Sequence, residues 1–149
     1  MIPRRRVLAL AAALPASLAA GPALAREPDI FTAGGRAIHG VDPVAYFDLG
    51  GPVEGGTESL VWRGAEWAFA GAGNRATFEA DPERWAPAFG GYCAWAASRG
   101  YLAPTVPDAW TVHEGRLYLN ASLRIRDRWL GEIDANIARG EANWPGILG

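Results

Sequence analysis

The chain has 149 residues, half of them hydrophobic and seven of them Trp, with a formal charge of -2. All 14 basic residues are Arg, and beyond Arg4 to Arg6 at the N-terminus they form no cluster except Arg124, Arg126 and Arg128, so electrostatics gives no case for a nucleic-acid or anionic-membrane partner. A single cysteine, Cys93, excludes an internal disulfide even in an oxidising compartment.

Met1 to Ala25 reads as a cleaved leader. Arg4-Arg5 opens it in the manner of a twin-arginine signal, an Ala- and Leu-rich run follows, and Ala23-Leu24-Ala25 fits the small-x-small rule for cleavage. The alternative is an uncleaved anchor. Its run from Val7 to Leu24 is short for a span and is broken by Pro15 and Pro22. The expectation is therefore a periplasmic protein with no membrane span after cleavage. Losing Arg4, Arg5 and Arg6 takes the net charge from -2 to about -5.

Residues 26–37 are polar and Gly-containing, and are expected to be a flexible lead-in. One domain is predicted over 38–149. Asp42-Pro43 starts a short helix, with Asp as cap and Pro at the first helical position, and Gly50-Gly51-Pro52 ends it. Leu60 to Trp62 and Trp67 to Phe69 flank Arg63-Gly64 as a β-hairpin. A helix over Asn74–Glu79 follows, then a helical turn from Asp81-Pro82 to Trp85.

Phe89-Gly90-Gly91-Tyr92-Cys93-Ala94-Trp95 sets a thiol among aromatic neighbours, after two glycines that permit positive φ or close backbone approach. Pro104 to Asp108 is a loop. Trp110–His113 and Arg116–Asn120 alternate around Glu114-Gly115 as a second hairpin. Ser122 caps a helix expected to carry Leu123, Trp129, Ile133 and Ile137 on one apolar face and to stop at Gly140, with Trp144-Pro145 pinning the tail. The fold class is α+β: a small single domain of short antiparallel hairpins with helices packed on one side.

The run from Trp67 to Trp85 resembles the YHS domain, whose pattern is aromatic-x-Phe, a short loop, a helix ending in Phe, and then Asp/Asn-Pro-Glu-Lys-Tyr. Asp42-Pro43-Val44 matches its opening. Gly40 to Phe47, Gly90 to Ala94, Trp110 to Val112 and Leu117 to Asn120 are similar to an exported bacterial branch of that family, so the likeness covers about Ile38 to Leu148. The resemblance implies a metal-binding accessory domain, with copper or another soft ion as the expected metal. The family attaches that role to cysteines at positions that here hold Ala45, Ala70 and Asn74. Alanine offers no ligand and soft ions select thiolates, so that site does not carry over.

Any soft-metal site must then use Cys93, with His39 and His113, the two imidazoles, as candidate co-ligands. Cys93 has three readings: a buried core thiol, a metal or cofactor ligand, or a redox thiol whose pKa would have to be lowered by neighbours. No catalytic residue is assigned. Asp81, Glu83 and Glu79 read as a cap and a solvated face, and Trp62, Trp67, Trp95 and Trp110 as core. Three functions follow: a non-catalytic binder of a metal or small cofactor, a thiol redox protein, or an interaction module for an exported protein partner.

Overall fold

The computed structural model describes Ala13, Pro15 and residues 25–149. The twin-arginine pair and most of the cleavage box expected in the leader lie outside the described residues. The chain runs through β1 (Thr32–Ala33), β2 (Arg36–Ala37), α1 (Ala45–Leu49), β3 (Glu58–Trp62), β4 (Ala65–Phe69), α2 (Ala72–Ala80) and α3 (Pro82–Trp85). It continues through α4 (Ala94–Ser98), β5 (Trp110–His113), β6 (Arg116–Leu119), α5 (Leu123–Leu130) and α6 (Ile133–Asn143). The strands form three separate antiparallel pairs, β1-β2, β3-β4 and β5-β6. This is the expected α+β class.

Both longer hairpins close over two residues. Trp62 pairs with Ala65 across Arg63-Gly64, and His113 with Arg116 across Glu114-Gly115. In each turn both residues take positive φ, as the hairpin twist demands. Alternation then decides which side chains go inside. On β4, Ala65, Trp67 and Phe69 enter a main core with Phe78 of α2. On β6, Leu117 and Leu119 face that same core, whereas Tyr118 between them faces a second one with Phe89, Trp129, Ala94 and Ala97. One strand thus serves as the wall between two apolar clusters.

Four expectations are corrected. Residues 26–37 are not a loose lead-in: Glu27 N–H donates to the Leu148 carbonyl (2.8 Å), Phe31 N–H to the Gly90 carbonyl (2.9 Å), and Ile30 is buried. Gly90 makes this docking possible, since a Cβ there would lie 1.9 Å from the Asp29 carbonyl oxygen. The helix after Ser122 is two helices, α5 and α6, separated at Gly131-Glu132. Ser122 does cap the first, its hydroxyl accepting from Ile125 N–H at 3.1 Å. Leu123 is exposed, because six residues place it about 120° round the helix from buried Trp129. Gly140 does not stop the helix. It lies within α6, where an added Cβ would sit 2.6 Å from the Phe89 ring, so packing is what requires glycine.

No helix among the described residues is long and apolar enough to cross a membrane.

Candidate functional site

Cys93 sits just before α4, fixed by its N–H donating to the Ala103 carbonyl (3.0 Å). Its side chain is buried, with 1 % of the residue exposed, and Sγ donates to Asn120 Oδ1 at 3.5 Å. That same oxygen accepts the Trp95 N–H at 3.0 Å. Burial pushes the Cys93 thiol up, and the neighbouring N–H groups of Ala96, Ala121 and Trp95 only partly oppose it. The surroundings are polar, not an apolar cage, but they are closed to solvent. A neutral, sealed thiol is neither an accessible soft ligand nor a ready nucleophile.

His39 takes left-handed backbone geometry (φ 62°) between Ile38 and Gly40, which also have positive φ. Its Nε2 lies 2.6 Å from the Thr105 carbonyl, to which it donates, and its ring meets Phe31 edge-on. Thr105 in turn donates through its hydroxyl to the Gly91 carbonyl at 2.7 Å. His39 therefore ties the start of the domain to the loop before β5.

His113 ends β5, where Nε2 lies 3.1 Å from Asp134 Oδ1 and 3.9 Å from Glu114 Oε1. Donor atoms of the three residues fall within 4.8 Å of one another, and this is the one His, Cys, Asp or Glu group of three or more so arranged among the described residues. Cys93, His39 and His113 are thus not brought together. His113 instead meets carboxylates that the sequence reading passed over. Asp134 is 21 residues away and arrives only because the chain turns between α5 and α6. Its position near the α6 N-terminus had no signal linking it to a hairpin.

Asp42 is a buried carboxylate with every lone-pair direction engaged. Oδ1 accepts from Val44 N–H (2.9 Å) and Ala45 N–H (3.2 Å), and Oδ2 from Ala70 N–H (2.9 Å) and the Asn74 amide (2.8 Å). Asp42 takes up the first two of these N–H groups as a cap would, but α1 begins at Ala45 with Val44 as its N-cap, so Pro43 is not at the first helical position that the sequence suggested. Ala45 on one side and Ala70 and Asn74, well beyond it in sequence, on the other converge on this one side chain. Four hydrogen bonds and no thiolate make it a closed structural knot that does not fit a soft metal ion. No family model, curated protein or solved structure matches the chain.

Proposed function

We propose that this chain is an exported, non-catalytic accessory domain of the YHS kind that holds a divalent transition-metal ion at His113, Glu114 and Asp134. The observation that carries the proposal is the convergence of one imidazole and two carboxylates at the tip of the β5-β6 hairpin. Nitrogen and oxygen donors suit Zn2+ or Cu2+ better than the soft Cu(I) that thiolates select. Three protein ligands leave coordination positions open, as an ion that is taken up and handed on requires. Export rests on Arg4-Arg5 and the Ala23-Leu24-Ala25 box. The family reading is supported by the gathering of Ala45, Ala70 and Asn74 around Asp42, since positions assigned to one site should meet in space.

Calorimetric titration of the metal-free protein with Zn2+ tests the site. The expected result is one equivalent bound, with at least tenfold weaker binding in His113→Ala and in Asp134→Asn. Cys93→Ala should bind as wild type. Acidification should weaken binding, because the metal competes with the proton for the imidazole. Zn2+ binding that survives His113→Ala unchanged, or no binding by the wild type, overturns the proposal.

A further inference from the structure

Residues 26–37 form an arm that is fastened to the body of the domain at both of its ends. Towards the start, Glu27 N–H donates to the Leu148 carbonyl, Phe31 N–H to the Gly90 carbonyl, and the Tyr92 hydroxyl to the Pro28 carbonyl at 2.9 Å. Ile30 and Ala37 are buried in the main core. Inside the arm, β1 pairs with β2 and makes it a unit. The fastening contacts all run from arm to body, so the body of another copy of this chain offers the same partners.

The join between arm and body is Ile38-His39-Gly40, three successive residues with φ of 43°, 62° and 74°. Left-handed backbone is disfavoured for L-residues and ordinarily occurs one residue at a time, and a β-branched Ile suits it poorly. Two bonds hold the turn, from Val41 N–H to the Ile38 carbonyl at 3.4 Å and from His39 Nε2 to the Thr105 carbonyl at 2.6 Å. Extending the turn gives up those two bonds and releases Ile38 and His39 from disfavoured backbone. The two effects are similar in size, which leaves concentration to decide between a closed and an extended join.

We propose that two copies of this chain exchange residues 26–37, with Ile38 to Gly40 extended as the hinge, to give an arm-swapped dimer. A short strained hinge beside an element whose contacts a second copy reproduces is the arrangement from which such exchange arises. Each arm then seats Ile30 in the partner's main core and bonds Phe31 to the partner's Gly90. None of these residues belongs to the His113 site, so failure of either reading leaves the other standing.

The test refolds the purified chain from urea at micromolar and at near-millimolar concentration, and separates the products by size exclusion with light scattering. The expected result is monomer from the dilute sample and a separable dimer from the concentrated one. Refolding an equal mixture of isotope-labelled and unlabelled chains then allows isotope-filtered NMR of the dimer, where contacts between Phe31 of one chain and Gly90 of the other are expected. Gly40→Ala makes the left-handed turn harder to hold, while its methyl group meets only the flexible Arg36 side chain, at 3.1 Å. It should raise the dimer fraction about threefold at intermediate concentration, and Ile38→Gly should lower it. No dimer from the concentrated sample, a dimer without the Phe31–Gly90 contact between chains, or a dimer fraction unmoved by Gly40→Ala overturns the proposal.

Discussion

Individual residues carry unequal weight here, and Phe69 and Phe78 carry much of the main core. Both are fully buried, with ring centroids 5.3 Å apart, and Trp67 lies 5.0 Å from Phe78. Truncating either Phe to Ala leaves a cavity between a hairpin and a helix that cannot close up. The expected cost is about 3–5 kcal/mol by denaturant unfolding. A Phe78→Ala variant that unfolds with the wild-type midpoint would contradict this packing. Burial also governs alkaline behaviour. Tyr46 is buried, donates to the Pro107 carbonyl at 2.9 Å, and has its phenol pushed well up by desolvation first and by Asp108 second. Cys93 is raised by burial as well. An acid whose folded pKa is raised keeps its proton in the fold after the unfolded chain has lost it. Its contribution is intact below the unfolded value and lost as pH rises past it. Stability should therefore fall from about pH 8.5, where free Cys ionises, and more steeply above about pH 10, where free Tyr does. Urea titrations at pH 7, 9 and 10.5 would read this, with a smaller drop over the last interval expected in Tyr46→Phe. Flat stability to pH 10.5 would refute the burial argument.

At the scale of elements, both longer hairpins were legible because their signals are local. Two-residue turns with glycine second, and apolar residues at every other position, suffice to fix register. Ser122 was legible as a cap for the same reason. The α5-α6 break was not: Gly131 is an ordinary stop residue, but apolar spacing from Trp129 to Ile133 and Ile137 continues across it and moved the expected stop to Gly140. That break carries Asp134 to His113, so the candidate cation site was half visible: the imidazole was singled out and its carboxylate partners were not. Gly140 shows a different limit. Glycine in a helix normally loses about 1 kcal/mol to alanine, yet here alanine would press on the Phe89 ring, which α6 holds against Tyr118 and Trp144. Gly140→Ala should thus lower the thermal midpoint, against helix propensity. A raised midpoint would show that the ring yields easily.

Over the whole molecule, the two cores share β6 as a wall, and residues 26–37 lash their far sides together. Glu27 bonds to Leu148 at one end of the chain, and Phe31 bonds to Gly90 in the middle. Deleting residues 26–31 should lower the unfolding midpoint, since it uncovers Gly90 and removes buried Ile30. An unchanged midpoint would restore the flexible lead-in that the polar composition suggested. The same whole-molecule arrangement places the thiol and the imidazoles in separate surroundings: Cys93 sealed against Asn120, His39 anchored to Thr105, and His113 open at a hairpin tip. Binding at the tip is therefore the central functional claim. Its most direct measurement is amide NMR of the protein with substoichiometric Cu2+, whose unpaired electron broadens signals close to it. The account predicts that His113, Glu114 and Asp134 broaden first while Cys93, Ala103 and Asn120 stay sharp. Broadening centred on Cys93 or His39 would contradict it.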